Sequence, residues 1–163
     1  MAPWPCVSYA AAGRCLLHAA LASQPQAASK VVFHARGLVF CGYRPDGASL
    51  DFPGGKALAG EDALACAERE LEEEVGGAVQ GLAYAPRARC EMTELGYLVD
   101  VFAVALPESR GVLLTREGRR ELRAPGWRPL DTVLLNLART PPGLSGHAYP
   151  AAVRACVPGR ADS

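Results

Sequence analysis

Hydrophobic and polar positions first form a clear pattern at residue 31. Val31-Val32-Phe33-His34-Ala35 and Leu38-Val39-Phe40-Cys41-Gly42-Tyr43 are rich in β-branched and aromatic residues and are separated by Arg36-Gly37, which predicts a hairpin. Pro45-Asp46-Gly47 predicts a turn, and Ser49-Leu50-Asp51-Phe52 a short extended piece stopped by Pro53-Gly54-Gly55. The period then changes. Leu64, Ala67, Leu71 and Val75 recur at three- and four-residue intervals, the stripe of a helix that faces a core. The acids Glu61 and Asp62 open that helix near its positive end, and Gly76-Gly77 closes it. Beyond it, residues 79–84 read as a strand and residues 96–106 as a stronger one, ended by Pro107. Val112-Leu113-Leu114 reads as a short strand, and residues 126–130 lead into a helix over 131–138. Pro141-Pro142-Gly143 breaks that helix, and a last one is expected over 150–156. Strands mixed with two or three helices predict an α/β or α+β class, and no internal repeat is visible.

Composition narrows the function classes. The chain has 163 residues, 50% hydrophobic and 21% charged, which suits one domain on the scale of ~100–200 residues each. Seventeen basic and seventeen acidic side chains give a formal net charge of zero, which argues against a protein held to DNA or membrane by bulk positive charge. No apolar run approaches the ~20 residues of a transmembrane helix. The six cysteines form no C-x-x-C pair, so zinc knuckles and thioredoxin-type motifs are not indicated. They read as reduced, mostly buried thiols of an intracellular protein. Residues 1–29 lack acids and are rich in Ala and Ser. Their apolar run at 15–22 has no cationic segment before it, so an added helix or strand is preferred over a targeting peptide. A cytoplasmic location is therefore expected, with organelle targeting as the alternative.

The neutral total hides a segregation of charge. Residues 1–45 carry no acid, whereas Glu61, Asp62, Glu68, Glu70, Glu72, Glu73 and Glu74 crowd one window with the single base Arg69. On the predicted helix Glu70, Glu73 and Glu74 fall within an arc of roughly 100°. Like charges at these spacings destabilise a helix by about 0.2–0.5 kcal/mol per pair. The arrangement makes sense if a divalent cation occupies it, since Mg²⁺ takes hard oxygen ligands and joins carboxylates to substrate phosphates. Gly54 and Gly55 let backbone approach a bound group, and the Gly54 carbonyl adds a further oxygen. A Walker loop is excluded, because neither Ser nor Thr follows Lys56.

Gly55, Glu61, Arg69-Glu70-Leu71, Glu73-Glu74 and Gly76, at these spacings, resemble the Nudix box. Gly77 departs from it, standing where the family has a bulky aliphatic residue. Phe52-Pro53-Gly54-Gly55-Lys56 is similar to the lead-in of MutT-like members, the branch favoured here. The box itself spans residues 55–77, and the strand order extends the resemblance over about 30–156. The resemblance implies an α/β/α sandwich with a mixed sheet occupying residues 30–157, followed by a flexible tail at 158–163. It also implies Mg²⁺, with Mn²⁺ as the alternative ion, and cleavage of a pyrophosphate bond in a nucleoside triphosphate or related nucleotide. Gly54, Glu70, Glu73 and Glu74 then match metal ligands, Glu70 doubles as a candidate base, and Arg69 matches the arginine that orients the carboxylates. Glu61 matches a structural or outer-site glutamate.

A further glutamate is expected downstream. Glu121 is the choice, with Glu117 and Glu94 in reserve, because it precedes Trp127 at an interval similar to that in MutT-like proteins. Lys56 and His147 are candidate substrate contacts, and Trp4 and Phe40 candidate stacking surfaces for a base. His18, His34, Cys66 and Trp127 read as structural. The loop at 141–144 lacks the asparagine that reads the base in purine-selective relatives, and Met92 stands where other branches place proline or tyrosine. The base is therefore open. The competing readings are a sugar-nucleotide or dinucleotide hydrolase, a capped-RNA hydrolase, and a non-catalytic nucleotide-binding module. A nucleotide is the expected partner, with no membrane and no other nucleic acid; oligomeric state is open, a homodimer included.

Overall fold

Val31, Val32 and Phe33 are consecutive and all at most 2% exposed. A strand achieves that only when both faces of its sheet are covered. The structure, a computed structural model, describes residues 26–76, 81–92, 97–109, 111–139 and 148–158. The chain runs β1 (Gln26–Ala35), β2 (Leu38–Tyr43), β3 (Leu50–Asp51), α1 (Ala63–Glu74), β4 (Arg87–Met92), β5 (Tyr97–Ala105), α2 (Gly118–Glu121), β6 (Arg123–Pro129), α3 (Leu130–Arg139) and α4 (Ala148–Cys156). The strands form one six-stranded sheet in the order β3-β2-β1-β5-β4, with β6 on β2. β1 and β5 are parallel, from Gln26↔Tyr97 to His34↔Ala105, and the other pairings are antiparallel. This is the expected mixed-sheet α/β/α sandwich.

Alternation along the central strands sorts the side chains into two cores. Val31 and Phe33 of β1, with Phe102 and Val104 of β5, face Ala67, Leu71 and Val75 from α1. Val32, Val101 and Ala103 face the opposite way, onto Leu130, Val133 and Leu137 of α3 and Tyr149 and Val153 of α4. The helix predicted from residue 61 starts at Ala63. Asp62 is its N-cap, accepting from the Ala65 N–H at 2.8 Å. At the other end Gly76 takes φ +81° and its N–H reaches the Leu71 carbonyl at 3.0 Å, as a left-handed terminus requires.

Several expectations change. Leu64, assigned to the buried stripe, is 41% exposed. The first turn of α1 meets the Gly55 loop and Ser29 of β1, whose hydroxyl donates to the Ala63 carbonyl at 2.7 Å, and Cys66 is enclosed there, its thiol 3.5 Å from the Gly55 carbonyl. Of the strand expected at 79–84, the described residues 81–84 are not in a strand. The strand before β5 is β4, masked in the sequence by Arg87, Arg89 and Glu91. Arg87 and Arg89 both bind Asp100, whose side chain is only 2% exposed, at 2.7 and 3.1 Å. Val112 and Leu114 are buried without forming a strand. The stretch at 126–129 belongs to β6 rather than to a helix approach, because its backbone pairs with β2 from Leu38↔Pro129 to Cys41↔Gly126. β1 begins at Gln26, ahead of the boundary expected at residue 30. Cys41, Cys66, Cys90 and Cys156 are free and buried. No helix among the described residues is long and apolar enough to cross a membrane.

Candidate active site

The site grows from the turn before α1. Residues 53–57 lie along β1, with the Ser29 N–H on the Gly55 carbonyl, the Val31 N–H on the Pro53 carbonyl and the Ala57 N–H on the Ala27 carbonyl, each at 2.9 Å. Gly54 must be glycine: its φ is +125°, and a Cβ would overlap the Ser29 carbonyl oxygen. Gly55 is required for a different reason. A Cβ there would come within 2.7 Å of the Glu70 carboxylate, which packs directly onto the glycine backbone.

Arg69 organises the acids around this turn. Its guanidinium grips Glu61 with two bonds, Nε to Oε1 at 2.8 Å and an Nη2 to Oε2 at 3.0 Å. The same group reaches Glu70 Oε1 at 2.8 Å, Glu73 Oε1 at 3.4 Å and the Lys56 carbonyl at 2.9 Å. This is the planar fork for which arginine, not lysine, is suited. Arg69 and the Leu58 N–H together hold the Glu61 carboxyl down at about 2, far below its ordinary value.

Glu74 occupies a contrasting environment. It is 3% exposed and accepts from the Gly54 N–H at 2.9 Å. Burial pushes its pKa up to about 7, against the lowering effects of the Gly54 hydrogen bond and of Lys30. The charges of Glu70 and Glu121 add to the rise. Glu73 differs again, its side chain half exposed beside Arg69. The three glutamates that helical spacing places on one arc are thus one lining residue, one buried acceptor and one near solvent.

A cleft of about 470 Å³ opens over the turn, walled by Glu70, Gly54, Lys56, Lys30, Arg44 and Glu121 among others. Glu121 arrives through a docking contact at the far end of α1. The Thr115 N–H binds the Glu74 carbonyl at 2.7 Å, and the Thr115 hydroxyl binds the Glu73 carbonyl at 2.6 Å. Gly118 then packs onto the Glu74 backbone so closely that a Cβ would overlap its carbonyl oxygen. α2 follows, and its last residue, Glu121, stands at the cleft. Glu117, at the start of α2, is exposed and is not part of the cleft wall.

Phe40 does not offer a stacking face. It is 4% exposed and packs edge-on against Trp127, ring centres 5.7 Å apart, because that β2 position faces the α1 core. His34 lies in β1, where burial lowers its pKa. His147, Glu94, Trp4 and His18 lie outside the described residues. Sequence reasoning missed Lys30, Asp51, Arg44 and Tyr149. Lys30 carried a signal, a charged residue two positions from Ala28 and Val32 on an inward strand face.

The donor set suits a hard divalent cation. Glu70, Gly54, Glu121 and Asp51 all line the cleft, an all-oxygen donor set. Among the described residues no three acidic, histidine or cysteine side chains are close enough to share one ion by themselves.

Solved structures share this fold. Dihydroneopterin triphosphate pyrophosphohydrolase of E. coli is 20% identical with a TM-score of 0.54, over 76% of this chain and 91% of that one. DR0079 from Deinococcus radiodurans is 18% identical with a TM-score of 0.60, over 82% and 83%. An ADP-ribose pyrophosphatase from Streptococcus suis is 16% identical with a TM-score of 0.54, over 79% and 87%. No curated protein sequence matches. The sequence does match the NUDIX domain family over residues 23–144. That span is most of the chain and contains the Arg69-centred turn and helix, so the protein belongs to the Nudix family of hydrolases acting on pyrophosphate bonds.

Proposed function

We propose that the chain is a Mg²⁺-dependent hydrolase that cleaves a phosphoanhydride bond of a nucleoside triphosphate or related nucleotide. The observation that carries this reading is the juxtaposition at one cleft of an Arg69-held carboxylate, Glu70, with the cations Arg44 and Lys56. A substrate that meets both signs of charge is an anion that brings a metal with it. Glu70, Glu74 and the Gly54 carbonyl would hold the ion, with Glu73 turned to Arg69 off the cleft wall; the ion would neutralise phosphate charge and acidify a bound water.

The chain's own residues do the rest. Arg69 fixes the direction of the Glu70 carboxylate, and Gly55 gives it the room to face the cleft. Lys56 and Arg44 offer positive charge to the non-bridging phosphate oxygens. Glu70 or Glu121 takes a proton as a water oxygen bonds to phosphorus, while the opposite P–O bond breaks and its electrons leave with the departing pyrophosphate or nucleoside monophosphate. The lead-in 52–56 supports a triphosphate substrate, since it resembles MutT-like relatives; the neighbours named above carry different substrates in their names.

A turnover screen decides the reading. Nucleoside triphosphates, sugar nucleotides, dinucleoside polyphosphates and capped RNA are incubated with Mg²⁺ and the products identified. Pyrophosphate plus a nucleoside monophosphate is the expected outcome. Tight nucleotide binding without turnover of any substrate would instead favour a binding module.

A further inference from the structure

Lys30 has a role in the site beyond its charge. It lies on β1 between Ala28 and Val32, both members of the core covered by α3 and α4, where strand alternation calls for an apolar side chain. Its side chain is 18% exposed. An ammonium has three protons to give, and three acceptors surround it: Asp51 Oδ2 at 2.9 Å, the Gly54 carbonyl at 2.9 Å and the Phe52 carbonyl at 3.2 Å. Asp51 is anchored from behind. Its Oδ1 accepts from the Phe52 N–H at 2.8 Å and from the Tyr149 hydroxyl of α4 at 3.0 Å. Tyr149 is 5% exposed and sits edge-on to Phe52, ring centres 6.3 Å apart.

The chain of contacts therefore runs from α4 through Asp51 and Lys30 to both ends of the 52–54 turn. Gly54 is held on its two sides at once: its N–H by Glu74 at 2.9 Å and its carbonyl by Lys30. A carbonyl oxygen has two lone pairs, so a bond from Lys30 leaves one for another partner. With its protons spent inside the protein, Lys30 is poorly placed to donate to a phosphate but well placed to hold this turn.

We propose that Lys30, braced by Asp51 and Tyr149, is the positioning residue that sets the direction of the Gly54 carbonyl and N–H, and through them the metal affinity of the site. The proposal rests on the reading of Gly54 and Glu74 as metal-holding groups. Partners that orient metal ligands typically change affinity about 10–100-fold when lost.

Removing Lys30 alone would leave Asp51 as an uncompensated charge and confuse geometry with electrostatics. The test is the double variant Lys30→Met/Asp51→Asn, which leaves the net charge unchanged, beside the neutral Tyr149→Phe. Mn²⁺ binding to the full chain is followed by loss of the free-ion paramagnetic resonance signal. Amide exchange is followed at Gly54 and Gly55, and turnover is titrated with Mg²⁺. The double variant should weaken Mn²⁺ binding about tenfold or more and speed exchange at both glycines. The Mg²⁺ concentration for half-maximal rate should rise in step, with the rate at saturating Mg²⁺ little changed. Unaltered Mn²⁺ affinity and exchange in a folded double variant would overturn the proposal. If the double variant does not fold, Tyr149→Phe decides: a rise in the Mn²⁺ dissociation constant supports it, and no change overturns it. A wild-type chain that binds no Mn²⁺ would sink the metal reading, while glycine exchange would still report whether Lys30 holds the turn.

Discussion

At the scale of single residues, the site depends on what two glycines allow and what one arginine holds. Gly55 leaves room for the Glu70 carboxylate, which a Cβ would meet at 2.7 Å. Gly55→Ala should therefore lower kcat with little loss of stability, and Glu70→Gln should lower it about 100-fold or more if Glu70 is the base. Steady-state rates beside thermal melts check both; near-normal turnover in Glu70→Gln would leave Glu121 as the base. The Glu61–Arg69 pair makes a pH prediction. Glu61 is depressed from 4.5 to about 2 in the folded chain. A depressed carboxyl contributes stability that is fully present above about 4.5 and lost as pH falls toward 2. Glu61→Gln should flatten the fall in melting temperature over that window, measured by calorimetry; an unchanged slope would show that the pair does not couple to folding.

At the scale of elements, α1 is the piece that joins the core to the chemistry. Leu71 is 0% exposed between β1 and β5, while Leu64, two turns earlier on the same stripe, is 41% exposed. Leu71→Ala should destabilise by about 2–5 kcal/mol, whereas Leu64→Ala should stay within roughly 0.5 kcal/mol. Denaturant unfolding of the two variants measures the contrast, and equal losses would mean that Leu64 is covered in solution. The helix was legible because its period, its Asp62 cap and its Gly76 terminus are all local properties of the chain. β4 was not legible, since Arg87 and Arg89 look like loop residues until the buried Asp100 of β5 is seen to receive them. β6 was hidden for a similar reason: its two prolines suit an edge, and only its pairing with β2 makes it a strand.

At the scale of the whole molecule, the cleft is assembled from segments far apart in sequence. Gly54 and Gly55 come from one turn, Glu70 from α1, and Glu121 from a segment docked on the end of α1 through Thr115 and Gly118. Gly118→Ala places a methyl group against the Glu74 carbonyl. It should cost about 1–3 kcal/mol and lower kcat as well, because the same displacement moves Glu121. Melting curves and rates on one preparation would separate the two effects, and a variant with normal stability and rate would show that the docking is not required.

The spacing of Gly55, Glu61, Arg69, Glu70, Glu73, Glu74 and Gly76 determined the family and the helix by itself. Both are consequences of short-range geometry, the 3.6-residue period and the conformations that only glycine reaches. The tertiary structure alone decided the environments of the acids. Equal spacing on a helix says nothing of burial, so Glu74 enclosed with a pKa near 7, Glu73 half exposed and Glu61 held at about 2 had to come from the surrounding chain. It also decided that Lys30, which reads in sequence as the polar start of a strand, lies beneath the site. Its partners Asp51 and Gly54 are 21 and 24 positions away, and Tyr149 is 98 positions from the Asp51 it braces; contacts at such separations exist only once the sheet and its two helical layers have closed.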